Sequence, residues 1–266
     1  MGLFNRVAYR VSHRKSILVR LLRLSHWLLR IALLLLVIDL IYVASIWPDW
    51  RKISHGAVPK SNFIQLYESQ QADRNWPPLQ WQPAALTDIP RHLLRAAIVA
   101  EDSRFYEHSG FDLIAIREAL DYNLGQGEFL LGASTISQQT AKNLFLSPSR
   151  DPLRKWHEVL LTWGLERNVR KSRILDLYLN VAEFGRGVYG VRAAARTYYN
   201  LEPASLSLEQ AAALAATLPS PVKHNPMTQT ERFQKRTQRI LDWLNREKSA
   251  MAPGPQATTK QPQGNT

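Results

Sequence analysis

The side chains able to do chemistry in this 266-residue chain fall in a few short stretches. Glu101 and Asp102 close a purely apolar run, Ala96-Ala-Ile-Val-Ala100, and lead into Ser-Arg-Phe-Tyr-Glu-His-Ser-Gly110. An apolar wall beside a carboxylate disfavours its charged form and turns it into a proton acceptor near neutrality. The same pair also suits a helix end packed beside a core, and on these residues alone both readings stand. A second stretch, Gly132-Ala-Ser-Thr-Ile-Ser-Gln-Gln-Thr-Ala-Lys-Asn143, changes character along its length. On a helix starting at Thr135, residues Thr135, Gln138, Gln139 and Lys142 form one polar stripe, with Ile136, Leu144 and Phe145 turned inward. Hydroxyl, amides and a cation at a helix N-terminus suit a phosphate; a solvated face is the alternative.

The third stretch is Pro152-Leu-Arg-Lys-Trp-His-Glu158, which sets Arg154 and Lys155 one turn ahead of Glu158. A helix-stabilising pair explains this spacing, but cations N-terminal to a Glu are the weaker orientation and oppose the helix dipole. A carboxylate with two cations can instead hold a diphosphate together with a divalent ion. Lys223, in Pro-Ser-Pro-Val-Lys-His-Asn-Pro, either adds a cation to an anionic pocket or faces solvent. Asn180-Val-Ala-Glu-Phe-Gly-Arg-Gly-Val-Tyr-Gly190 reads as turn geometry between two helices, with Glu183 as a cap. His108 and His157 lack partners at metal-ligand spacing, and with no cysteine in the chain thiolate metal sites and disulfides are excluded.

Helical periodicity positions these groups. Hydrophobic residues recur at three and four over 91–101, 113–124, 135–146, 152–169, 172–181, 188–199, 207–217 and 230–248, and alternating β-branched runs are absent. Thr135-x-x-Gln138 and Ser207-x-x-Gln210 are capping boxes, while Pro219 and Pro221 stop the helix before them. The expectation is a mostly α-helical domain over 91–248. A mobile loop is expected between Tyr122 and Gly132, and a disordered tail over 249–266, rich in Pro, Gly and Gln.

Residues 1–26 hold six basic residues and no acid, and 27–47 are an apolar span with Trp27 and Trp47 at its ends. Its length and flanks predict one transmembrane helix with a cytoplasmic basic tail and the remainder outside the cytoplasm. The rival is a cleaved signal peptide, with Val43-Ala44-Ser45 as a weak site. Asp39 lies near the middle of the span, as a mark of a helix partner or as a tolerated carboxylate. Residues 48–90, rich in Pro, Trp and Gln, read as a membrane-proximal linker with one short helix near Phe63. The net charge is +12, half of it in the first 47 residues. The remaining basic residues are interleaved with acids and no nucleic-acid motif appears, so phosphate groups or an anionic membrane surface are the expected partners rather than nucleic acid.

Four ordered motifs carry a resemblance: Glu101-Asp-x-x-Phe-x-x-His-x-Gly110, Gly132-x-Ser-Thr-Ile-x-Gln-Gln-x-x-Lys-Asn143, Arg154-Lys-x-x-Glu158 and Arg173-Ile-Leu-x-x-Tyr-Leu-Asn180. In these the chain resembles the monofunctional branch of the peptidoglycan glycosyltransferases of family 51, from about Pro48 to Leu244. The resemblance implies a mainly α, lysozyme-like helical glycosyltransferase domain with a small membrane-proximal jaw lobe. It implies polymerisation of lipid II into β-1,4-linked glycan with release of undecaprenyl diphosphate. It further implies that Glu101 is the general base and that Glu158 assists departure of the diphosphate, directly or through Mg²⁺. Lys142, Arg154 and Lys155 would neutralise the diphosphate; Ser134, Thr135, Gln138 and Asn143 would shape the donor site; and Asp102, Phe105 and His108 would hold the site's form. Lys223 would fill the family's distal basic position, in a register that the surrounding prolines leave open. The implied setting is the bacterial inner membrane with a periplasmic catalytic domain, and the implied partners are lipid II, the nascent glycan strand and proteins of wall synthesis or division. With about forty residues after Pro226, no transpeptidase activity is expected. A lysozyme-like lytic enzyme and a non-catalytic membrane-anchored scaffold remain the alternatives.

Overall fold

The computed structural model describes residues 2–126, 132–149 and 151–251, and the chain divides into two units at Pro48 and Asp49. The first unit is one helix, α1 (Gly2–Ile46), so the basic segment continues the apolar one without a break. From Leu24 to Ile41 its large apolar side chains are exposed, leucine after leucine at about half of their surface. A helix apolar all round, unburied and of this length is compatible with a single-pass membrane anchor. Pro48 ends it, since the residue before a proline is driven out of the α region.

In the second unit the helices follow the periodicity closely: α4 (Arg91–Glu101), α5 (Leu113–Gln126), α6 (Ile136–Phe145), α7 (Pro152–Asn168), α8 (Lys171–Val181), α9 (Val191–Tyr199), α10 (Leu208–Thr217) and α11 (Glu231–Met251), preceded by α2 (Trp50–His55) and α3 (Asn62–Gln70). Two helices form the interior. The alanines of α10 let α4 and α11 approach closely, and Ala96, Ala212, Ala216, Phe233, Ile240 and Leu244 make one cluster there. α8 is buried from Ile174 to Val181, and α6 packs on both α7 and α8.

Residues 49–90 are not the extended linker that their prolines suggest. Asp49 and Ser61 cap α2 and α3. Arg173 of α8 donates to the carbonyls of Ile53 (3.0 Å) and Gly56 (2.6 Å). The buried Asn180 side chain accepts from the Ala84 N–H (2.7 Å) and donates to the Ala84 carbonyl (3.0 Å). Trp81 donates its indole N–H to the Asn180 carbonyl (3.0 Å).

The stretch 180–190 also departs from expectation. It forms a hairpin of β2 (Glu183–Gly185) and β3 (Val188–Tyr189), and β1 (Gln80–Trp81) adds in parallel to β3, giving the order β1-β3-β2. Glu183 therefore lies in a strand opposite Tyr189 and caps no helix. α5 runs on through Gly125 to Gln126; 127–131 of the expected loop lie outside the described residues, as do 252–266 of the expected tail, of which 249–251 belong to α11.

Candidate active site

α4 delivers Glu101 as its last residue, and Asp102 turns the chain out of the helix. Asp102 is buried, accepting from the Ile136 N–H (3.0 Å) and from His108 Nε2 (2.9 Å). Since His108 Nδ1 accepts the Gly110 N–H (3.1 Å), its proton sits on Nε2 and is donated to Asp102. Gly110 adopts φ +98°, where a Cβ would stand 3.0 Å from both Thr162 Cγ2 and Glu166 Cγ. Its carbonyl accepts from the Thr135 hydroxyl (2.7 Å), and Phe105 is fully buried beneath the Lys171 ammonium, 4.3 Å from the ring centroid. Asp102, Phe105, His108 and Gly110 thus tie the turn after Glu101 to the head of α6.

The Glu101 carboxylate is 8% exposed. It accepts from Gln139 Nε2 (2.8 Å) and from Arg236 Nη2 (2.8 Å), and the same Arg236 nitrogen donates to the Ala100 carbonyl (2.7 Å). The Tyr178 hydroxyl donates to Gln139 Oε1 (3.4 Å), which turns the Gln139 amide N–H₂ toward the acid. Burial pushes the Glu101 carboxyl up; Gln139, Arg236 and Lys142 pull it back without cancelling the effect.

The polar stripe on α6 is split. Thr135 and Gln138 turn inward as a reciprocal capping box, with the Gln138 N–H on the Thr135 hydroxyl (3.2 Å) and the Thr135 N–H on Gln138 Oε1 (3.0 Å). With the Ile136 N–H held by Asp102 as well, these amides of α6 are already satisfied, and the Thr135 hydroxyl is engaged with the Gly110 carbonyl and the Gln138 N–H. Spacing alone made them both cap and stripe; capping won because it pairs two donors that burial would otherwise orphan. Gln139, Lys142 and Asn143 remain, lining a cavity of about 200 Å³ with Phe63, Tyr178 and Glu183. Ser134 is exposed just ahead of α6.

Behind α6 packs α7, started by the Asp151 cap and Pro152. Glu158 is 2% exposed and accepts from Arg154 Nη1 (2.7 Å) and from the Lys155 ammonium. Arg154 Nε is buried without a hydrogen-bond partner among the described residues, in a group of cations whose charge Lys142 feels. Lys142 makes no ion pair among the described residues: burial lowers its pKa, Glu158 and Glu101 oppose that, and Arg154 and Lys155 add to it. The net arrangement has more positive than negative charge and an unfilled guanidinium N–H, which suits an anion.

A resident Mg²⁺ does not fit these residues. Both oxygens of Glu158 are taken by cationic donors, and among the described residues it belongs to no group of three or more His, Asp or Glu ligand atoms. The one grouping of three His, Asp or Glu ligand atoms there, Asp102, His108 and Asp112, is consumed by its own bonds, Asp112 accepting from Arg104 (2.8 Å).

A family model described as Transglycosylase matches residues 70–245. The chain belongs to the transglycosylase family. A biosynthetic peptidoglycan transglycosylase of Nitrosospira multiformis is 49% identical over 162 residues, 61% of this chain and 70% of that protein. One of Nitrosomonas eutropha is 42% identical over 227 residues, 83% and 91% of the two chains. One of Acinetobacter baumannii is 46% identical over 158 residues, 59% and 70%.

In this transglycosylase Lys223 stands exposed in the turn after α10, its N–H on the Ser220 carbonyl (3.1 Å), and does not line the cavity of Gln139, Lys142 and Asn143. Pro219 and Pro221 occupy the cleft wall in its stead. The distal cation that reaches the site is Arg236 of α11, which sequence reasoning passed over. It lies 135 residues from Glu101 in an arginine-rich amphipathic helix, and no local pattern sets it apart.

Proposed function

We propose that this transglycosylase polymerises lipid II, with Glu101 as the base and the Lys142–Arg154–Lys155 cluster as the seat of the donor's diphosphate. The observation that carries this reading is that Lys142, which lines the cavity, feels the charge both of a buried carboxyl with raised proton affinity, Glu101, and of the Arg154–Lys155–Glu158 cluster. Ionised Glu101 takes the proton of the acceptor's GlcNAc 4-hydroxyl as that oxygen attacks the anomeric carbon of the donor. The α-linked bond to undecaprenyl diphosphate breaks from the opposite face, and a β-1,4 bond forms with inversion. Charge accumulating on the leaving diphosphate is met by Lys142 and Arg154, whose positions are fixed before reaction. Glu158 holds Arg154 and Lys155 in place, and Gln139 and Arg236 hold the base.

Anchoring in the inner membrane, with the N-terminus cytoplasmic and the catalytic unit periplasmic, is supported by the basic residues that precede the apolar part of α1. In the catalytic unit α5 exposes Leu113, Ile114, Ile116, Leu120 and Leu124, an apolar face suited to a lipid surface that presents a lipid-linked substrate. The test is incubation of the detergent-purified protein with labelled lipid II. Glycan longer than the substrate supports the reading; solubilisation of finished sacculi without polymer growth overturns it in favour of lytic chemistry.

A further inference from the structure

Glu183 is a third acid of the cleft and has no part in the chemistry above. It opens β2, between the buried Ala182 and Phe184 and opposite the buried Tyr189. Two cavities share it: the one of about 200 Å³ that Gln139, Lys142 and Asn143 line, and one of about 340 Å³ lined by Tyr67, Trp76 and Arg186. Phe63 and Tyr189 border both, so the two spaces adjoin at this carboxyl. Among the described residues Glu183 has neither a hydrogen bond nor an ion pair. Arg186 attracts it only at longer range, its guanidinium lying over the Trp76 ring, 5.0 Å from the centroid. A largely buried acid without a partner is costly unless something polar fills the space before it.

We propose that Glu183 is a substrate-contacting residue, accepting a hydrogen bond from an N–H or O–H of a saccharide unit seated between Gln139, Asn143 and Tyr189. This rests on the lipid II reading and adds a recognition group to that cleft. The contact distinguishes a sugar carrying that donor from one lacking it, because the carboxylate is otherwise left unpaired. Burial pushes the Glu183 carboxyl up to about 7, with Arg186 opposing, so the accepting form grows as pH rises through neutrality. The groups facing it are Arg186 in the β2–β3 turn, Tyr189 on β3, Tyr67 on α3, Tyr198 on α9, across the larger cavity Arg74, and across the smaller one Lys142 on α6. The three tyrosines are pushed upward by burial, and none of them titrates near neutrality.

The test measures binding of labelled lipid II, together with kcat and KM, on full-length wild type, Glu183→Gln and Glu183→Leu between about pH 6 and about pH 8 in detergent. Wild type should bind more tightly as pH rises through about 7. Glu183→Gln, which keeps a carbonyl acceptor, should lose that pH dependence. Glu183→Leu should weaken binding and raise KM by about tenfold or more, with kcat changed by less than about threefold. Melting temperatures confirm folding, and the isosteric Gln variant keeps the test decisive if Leu unfolds. Binding and KM unchanged in both variants, with wild type polymerising, overturn the role of Glu183 alone. Wild type that neither binds nor polymerises lipid II overturns the function and this contact together.

Discussion

Two helices that meet α6, α4 through Glu101 and α7 through Glu158, treat a buried carboxylate in opposite ways. Glu158 has a cation on each oxygen, from Arg154 and Lys155, and stands rigid within one helix turn. Glu101 has one guanidinium and one neutral amide, both from other helices, and its carboxyl keeps a raised proton affinity. A proton acceptor must be free to change charge, whereas an electrostatic brace must not. The difference in pairing matches the two roles proposed above, Glu101 moving a proton and Glu158 organising cations.

The largest break in that contrast comes from Glu101→Gln, which retains shape and removes the base. Polymerisation should fall by about 10² to 10⁴ or more in kcat, with a melting temperature near that of wild type. A variant that still turns over at the wild-type rate would transfer the base role to another group. Glu158→Gln tests the other acid. It leaves Arg154, Lys155 and Lys142 mutually repelling at a mostly buried site, so stability should fall by about 2–4 kcal/mol, and turnover should drop because the diphosphate seat spreads. Thermal denaturation alongside the lipid II assay separates the two effects; an unchanged melt would show that the brace is unimportant.

Arg236 sharpens the contrast from the side of the base. Arg236→Met removes a cation that favours ionised Glu101, so the carboxyl must rise further and the acid limb of the kcat/KM profile must move to higher pH. At neutral pH the rate should fall by about tenfold, and Arg236→Lys should recover part of both the rate and the limb. A packing role alone would lower stability without moving the limb.

The fold and the site were visible in the sequence to different depths. Helices α4, α7 and α10 could be placed because their apolar spacing, caps and prolines lie within the helix itself. Glu101 and Glu158 could be singled out for the same reason, each having its apolar or cationic neighbours within a few residues. The hairpin at 183–189 has strands of two and three residues, too short for any periodicity, and its glycines read as a turn. The prolines of 48–90 hid a segment fastened by Asn180 and Arg173 from about a hundred residues away. Arg236 was hidden for the same cause. Glu183 left one faint trace, its place between the apolar residues Ala182 and Phe184, which is unusual for a cap and ordinary for a half-buried strand.

Glu183 completes the series as an acid with no paired cation, and its effect on stability is the smallest of these expectations. Its folded carboxyl is raised from 4.5 to about 7, so between those values the folded chain binds more protons than the unfolded chain. Stability attributable to this group therefore declines as pH rises from about 4.5 to about 7 and stays lower above. Glu183→Gln removes the titration. The variant should match wild type most closely near pH 5 and exceed it by about 1–3 kcal/mol near pH 8, with the opening to the cleft favouring the lower figure. Unfolding curves at the two pH values check it. A constant difference would mean that Glu183 is ionised in both states and already solvated, in which case the series from Glu158 through Glu101 to Glu183 would end at two members.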